Sequence, residues 1–176
     1  MPFSDPPHTI SQFDLQSGSI VADLGAGTGI LSILIARAVG DKGKVYAIEV
    51  QKNLLDRLAN HAKEERVHAT IEALWGDIER TNGTHLKDAM VDAVVASNVL
   101  FQIADKEGFV AETKRILKPG GKVLLIDWTE SFHGMGPHID HVVTGPEARR
   151  LFERGGFNYV KKIDAGAHHY GFLFKK

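Results

Sequence analysis

The chain has 176 residues, 43% hydrophobic and 24% charged, with a formal net charge of -1. That size and balance predict a single globular domain with a sizeable core and exclude wholesale disorder. The near-zero charge gives no global pull toward nucleic acid or anionic lipid, and the lack of cysteine removes disulfides, thiolate catalysis and zinc–cysteine sites.

Residues 1–18 are polar and proline-bearing, with Phe3, Ile10, Phe13 and Leu15 as anchors, and read as a short N-terminal arm or lid. The start, Met1-Pro2-Phe3-Ser4-Asp5, lacks a basic stretch followed by an apolar run, so a cytoplasmic location is expected. From Ser19 onward strand and helix patterns alternate. Ile20–Leu24 is a short apolar strand, Ile30–Val39 a helix and Val45–Val50 a second strand. Lys52–Glu65 is a helix with Leu54, Leu55 and Leu58 on one face. Ala69–Leu74 is a weaker strand and Val91–Ala96 a stronger one. Asp105–Leu117 is a helix stopped by Lys118-Pro119-Gly120-Gly121. Lys122–Asp127 suits a strand buried on both faces, and a loop rich in Gly and His runs from Trp128 to Val143. Gly145–Arg154 reads as a helix. Phe157–Ile163 and Tyr170–Phe174 stand too close together for a crossover helix, so they should be antiparallel. The pattern predicts an α/β sandwich, with helices on both faces of a mostly parallel sheet. No window approaches the roughly 18 apolar residues of a transmembrane span.

The first strand runs directly into Gly25-Ala26-Gly27-Thr28-Gly29 and then a helix. Glycine lets backbone turn tightly and approach a ligand closely, and a helix start offers unpaired amides to it. A dinucleotide fingerprint requires a third spaced glycine, where this chain has Ile30. A phosphate loop is excluded because no Gly-Lys-Ser/Thr follows. Glu49, at the end of the second strand, can accept both hydroxyls of a ribose. Asp77, in Trp75-Gly76-Asp77-Ile78, lies within reach of an adenine amino group at the same sheet edge.

These pieces, with Val91-Asp92-Ala93-Val94-Val95-Ala96-Ser97-Asn98 and Arg115-Ile116-Leu117-Lys118-Pro119-Gly120-Gly121, occur in order. In them the chain resembles a class I S-adenosylmethionine-dependent methyltransferase, of the group that includes the ubiquinone and menaquinone biosynthesis methyltransferases. The resemblance implies a Rossmann-like three-layer sandwich over residues 19–176, whose seven-stranded sheet has the order 3-2-1-4-5-7-6 and one antiparallel terminal strand. It implies S-adenosyl-L-methionine as cofactor, with Asp23 and the amides around Gly25, Ala26 and Gly27 meeting its methionine portion. Glu49 would hold the ribose, and Val50, Asp77 and Ile78 would frame the adenine. Asn98 would border the methionine carboxylate or the acceptor.

The implied activity is methyl transfer to a small or amphiphilic acceptor. A general base is required only where the acceptor must lose a proton. Candidates follow the fifth strand: Asp127, His133 and His138 for proton transfer, and Trp128, Met135 and His141 for substrate contact. Ser131–His138 reads as a movable cover. His168 and Tyr170 fall on one strand face and His169 on the other, and that strand reads as sheet structure. The spacing of His133, His138, Asp140 and His141 matches no compact metal motif, so no metal is expected. Scattered basic pairs such as Arg149-Arg150 give no support for nucleic acid as a partner. A monomer or homodimer is expected. The alternatives are a nicotinamide-dependent oxidoreductase and a non-catalytic S-adenosylmethionine-binding partner protein.

Overall fold

The computed structural model describes residues 5–132 and 134–176. Helix α1 (Pro6–Ser11) begins at Asp5, whose carboxylate accepts the amide of His8 at 3.1 Å. Ile10 and Phe13 are buried in the core. Thr9 Oγ1 and Gln12 Nε2 both donate to the carbonyl of Asp164, at 3.2 and 2.9 Å. This first segment is docked.

Strands β1 (Ile20–Leu24), β2 (Lys44–Glu49), β3 (Ile71–Trp75), β4 (Val91–Ser97), β5 (Leu117–Trp128), β6 (Asn158–Ile163) and β7 (His169–Lys175) form one sheet. Their order is β3-β2-β1-β4-β5-β7-β6, with β7 antiparallel to both neighbours and the other pairs parallel. This is the expected Rossmann-like sandwich. Helices α2 (Ile30–Val39) and α3 (Lys52–Glu64) join α1 on one face, and α4 (Lys106–Ile116) and α5 (Gly145–Arg154) cover the other.

Strand alternation divides the core. Val21, Val45, Val95, Leu124 and Ile126 pack with Ile10, Ile33, Ile35 and Leu58. Leu24, Ile48, Val94, Val123 and Leu125 pack with Phe109, Leu151, Phe152 and Phe174 on the opposite face. Both faces are covered, which is why these strands read as continuous apolar runs. Each fully buried large apolar side chain contributes about 1.5–3 kcal/mol relative to exposure.

The expected break at Lys118-Pro119-Gly120-Gly121 takes a different form. Helix α4 ends at Ile116 and β5 starts immediately, but its register jumps from Val91↔Leu117 to Ala93↔Lys122, so residues 118–121 bulge out of the ladder.

A buried carboxylate ties down the connection between β3 and β4. Glu112 accepts the amides of Asn82 and Thr84 at 2.9 and 3.2 Å, the Thr84 hydroxyl at 2.6 Å and the Arg115 guanidinium at 2.7 Å. Against the cost of burial, these donors hold its pKa down at about 2, below the ordinary 4.5. Its contribution to stability is therefore complete above pH 4.5 and lost as pH falls toward 2. Acid titration followed by circular dichroism should show Glu112→Gln losing part of that acid sensitivity.

Candidate active site

The strand order reverses between β1 and β4, and a cleft of about 710 Å³ opens at the carboxyl ends of the strands there. It runs from Glu49, Val50 and Gln51 after β2, past the glycine turn, to Ile126 of β5 and His169 of β7. Four strand spacings of about 4.8 Å separate β2 from β7, a span of about 19 Å. That length accommodates a nucleoside-bearing molecule and a second small one side by side.

The alternate glycines of the turn serve different ends. Gly29 caps α2 at φ 86°, and a Cβ there would meet Leu58 Cγ at 2.7 Å, so its role is close packing against α3. Gly27, at φ 56°, has nothing within 4 Å of a would-be Cβ and faces the cleft. It leaves room for a ligand.

The turn is held from β2. The amides of Gly25 and Ala26 both donate to the Ile48 carbonyl, at 2.9 and 3.0 Å. The Gly27 amide donates to Glu49 Oε2 at 3.0 Å, and Glu49 Oε1 accepts the Gln51 amide at 2.9 Å. This corrects one expectation, since the amides around Gly25–Gly27 are engaged within the protein. The carboxylates Asp23 and Glu49 therefore present the polar chemistry at this end. Each Glu49 oxygen retains a lone pair for a hydroxyl donor.

Asp23, at the end of β1, is 2% exposed and accepts the Ser32 hydroxyl at 2.6 Å. Burial, reinforced by the neighbouring Glu49 charge, pushes its pKa up to about 6 despite that hydrogen bond. Beyond β3, Asp77 Oδ1 accepts the Glu79 amide at 3.0 Å and Oδ2 pairs with Arg80 Nε at 3.0 Å. Ile78 and the exposed Val50 supply the apolar surfaces beside it. Asn98 ends β4 in the left-handed region at φ 56°, a conformation asparagine tolerates. Every cofactor residue expected from the sequence lines this cleft, namely Asp23, Gly25, Ala26, Gly27, Glu49, Val50, Asp77, Ile78 and Asn98.

The expected acceptor residues are placed otherwise. Alternation turns Asp127 onto the face opposite Ile126, where it is 1% exposed and accepts the amides of Leu100 and Trp128 at 2.7 and 2.8 Å. Burial drives its pKa up to about 6 against these donors. Asp127 does not line the cleft. It holds the 3-10 turn Leu100–Gln102 against the sheet. Asp127→Ala should cost about 1–2 kcal/mol of stability by stranding the Leu100 amide, with cofactor affinity unchanged within about threefold, as denaturant unfolding and calorimetry would show.

Trp128 is buried on the cleft side of β5, behind the lining, with its ring 4.3 Å from that of His169. No described residue of the loop after it lines the cleft. Phe132 pairs with Met135 and stacks on His168 at 3.8 Å, and Gly136 lies against the Trp128 ring. Met135, His138 and His141 are exposed and do not line the cleft, and His138 pairs with Asp140 at 3.1 Å. His133 lies outside the described residues. Among the described residues, no three His, Cys, Asp or Glu side chains are grouped to hold a metal ion.

The far end is formed by residues that the sequence did not single out, Pro6 and Thr9 of α1, Gln102, Ile103, Ile126 and Ala165, together with His169, which was read as sheet structure. Glu79 was also missed. It lines the cleft and accepts the amides of Ala104 and Asp105 at 3.0 and 2.6 Å. Among the described lining residues are four carboxylates, Asp23, Glu49, Asp77 and Glu79, and no lysine or arginine. Such a cleft favours a cationic guest and opposes a pyrophosphate.

A family model described as a methyltransferase domain matches residues 22–125, which include the glycine turn, Glu49, Asp77 and Asn98. The chain belongs to the methyltransferase domain family. It is 31% identical over 130 residues to a ubiquinone/menaquinone biosynthesis C-methyltransferase UbiE of Marinomonas sp. (strain MWYL1), covering 70% of this chain and 48% of that one. A protein of the same name from Hydrogenovibrio crunogenus is 27% identical, over 89% of this chain and 56% of its own. The chain thus spans about half the length of the curated relatives it matches. A crystal structure of a SAM-dependent methyltransferase from Aquifex aeolicus superimposes with a TM-score of 0.88 at 25% identity, covering 98% of this chain and 90% of that one. S-adenosylmethionine is the cofactor of this fold and family, and the carboxylate-lined cleft fits its cationic sulfur and ammonium.

If Asp23 faces the cofactor, its carboxylate gives binding a defined pH dependence. A cationic guest favours the ionised form, whereas burial in the free protein holds the proton to about pH 6. Affinity should therefore be level above pH 6 and fall roughly tenfold per unit below it. Calorimetry across that range measures this, and Asp23→Asn should flatten the profile.

Proposed function

We propose that this chain transfers a methyl group from S-adenosylmethionine to a small or amphiphilic acceptor. The observation that carries this reading is the charge of the cleft: four carboxylates and no lysine or arginine among its described lining residues. When bound, the cofactor supplies a methyl group already activated on a positively charged sulfur. Glu49 would orient the ribose, Asp23 would face the cationic methionine portion, and Val50, Asp77 and Ile78 would hold the adenine. At the other end Ile103, Ile126 and Ala165 exclude water from an acceptor lying against them. Alignment in a dry site supplies much of the acceleration that such a transfer requires.

The C-methyltransferase relatives support a ring-bearing acceptor, and the exposed Ile30 at the rim suits an apolar extension. Of the N-terminal arm or lid expected over residues 1–18, the described part, residues 5–18, is read as covering the acceptor end, supported by Pro6 and Thr9 in the cleft wall. Among the described residues no helix is long and apolar enough to cross a membrane. A cytoplasmic enzyme, monomeric or homodimeric, is part of the same reading. The test incubates methyl-deuterated S-adenosylmethionine with 1,4-dihydroxynaphthalene and the protein, followed by mass spectrometry. A product heavier by one labelled methyl group is expected. Tight cofactor binding without methylation of this or other small ring acceptors would favour a non-catalytic binding protein.

A further inference from the structure

We infer that the groove between α4 and α5 is a second binding site, built for a small amphiphilic anion with an acidic head on an apolar body. The groove is a cavity of about 630 Å³, a size suited to small molecules. None of its described lining residues lines the cofactor cleft. Glu107, Val110, Ala111 and Lys114 recur at the spacing of one helix face, and this stripe of α4 forms one wall. Leu151 and Arg154 of α5 form the other, and Val110 and Leu151 give the groove an apolar floor. A Cβ at Gly155 would strike Val110 Cγ1 at 2.2 Å, so the absence of a side chain there lets the two helices close around that floor. Lys176 follows β7 at the end paired with Lys122, so the basic end of the groove lies at the edge of the sheet opposite the cleft.

Charge changes along this groove in one direction. Its basic end holds Lys114, Arg154 and Lys176, while Arg115, also in the lining, is engaged by Glu112 and Asp88. Among the described lining residues the one acid is Glu107, seven residues before Lys114 and so about 10 Å away along the helix. The Lys114 ammonium donates to the Gly155 carbonyl at 2.9 Å, and the Lys176 ammonium to the carbonyls of Lys114 and Leu117 at 2.6 and 2.5 Å. These bonds fix both ammonium groups at the end of the groove, and each keeps at least one N–H for a further acceptor. Burial and then the nearby Lys114 charge push the Lys176 pKa below its ordinary value, and an anion seated between the two would offset both effects. The polarity sets the direction of the ligand. Its acidic head meets Lys114, Arg154 and Lys176, and its body lies over Val110, Ala111 and Leu151 for no more than about 10 Å. Glu107 repels a second acidic group at the far end, so the ligand carries its charge at one end only.

The probe is 8-anilinonaphthalene-1-sulfonate, a sulfonate on an aromatic body whose fluorescence rises in apolar surroundings. The intact protein should bind one equivalent. In NMR spectra the amides of Ala111, Leu151 and Gly155 should shift, while those of Gly27 and Asn98 in the cleft stay in place. N-phenyl-1-naphthylamine has the same body without the sulfonate and should bind at least about tenfold more weakly. Arg154 is exposed on the last turn of α5, so Arg154→Glu should fold normally, as circular dichroism would check. It should weaken the sulfonate by at least about tenfold and leave the neutral dye within about threefold. Ala111→Phe, at an exposed position, fills the groove with every charge in place and should weaken both dyes. Equal affinity for the two dyes, unchanged sulfonate affinity in Arg154→Glu, shifts confined to cleft residues, or no saturable binding would each overturn the inference. The cofactor reading is tested apart from it, since Arg154→Glu should bind S-adenosylhomocysteine as the wild type does.

Discussion

Gly27→Val should abolish measurable binding of S-adenosylmethionine, a loss of at least about 100-fold or 2.7 kcal/mol, while the protein still folds. Two independent features of the residue produce this. Its φ of 56° is a left-handed conformation, which costs an ordinary L-residue about 1–2 kcal/mol and a β-branched one more. That strain is local and the sheet can absorb it. The larger effect is spatial, because a Cβ built at Gly27 meets nothing within 4 Å beyond its chain neighbours, and so projects into the space left for the ligand. Gly29→Ala provides the contrast. Its Cβ would strike Leu58 at 2.7 Å, so the loss should appear in thermal stability before it appears in affinity. Calorimetry and thermal melts of both variants separate the roles, and affinity retained within threefold in Gly27→Val would contradict the cradle.

Glu49→Ala should weaken the cofactor by about 1.5–3 kcal/mol, the range for losing charged hydrogen bonds. The residue is 7% exposed, so its interactions are made largely out of water. Its truncation also releases the Gly27 and Gln51 amides, held at 3.0 and 2.9 Å, and so loosens the turn itself. Glu49→Gln retains an acceptor and should lose less. An unchanged dissociation constant for Glu49→Ala would move the ribose elsewhere.

That the candidate cofactor residues would line one cleft was legible because the demands there are local. A strand, a turn that must adopt positive φ and a helix occupy consecutive residues, and Glu49 and Asp77 sit at strand ends where direction is fixed. The internal use of the Gly25, Ala26 and Gly27 amides was not legible, since it depends on Ile48 and Glu49 arriving from another strand. Asp127 was misplaced for a reason the sequence contained: with Ile126 and Trp128 on the cleft side, strand alternation turns the residue between them away. His169 was set aside because its position depends on the β5–β7 register, a nonlocal pairing that no local pattern reveals. The loop after Trp128 was expected over the cleft, but its described residues do not line it, and Phe132 packs on His168 and Gly136 on Trp128 instead.

The central claim is that the cleft at the β1–β4 reversal binds S-adenosylmethionine beside a separate acceptor pocket. A crystal structure with S-adenosylhomocysteine bound tests it most directly. The ribose hydroxyls should lie within hydrogen-bond distance of Glu49, the adenine beside Val50, Asp77 and Ile78, and the sulfur should face the space bounded by Ile103, Ile126 and His169. A nucleoside bound in any other pocket, or one in this cleft with its sulfur turned away from His169, would contradict the account.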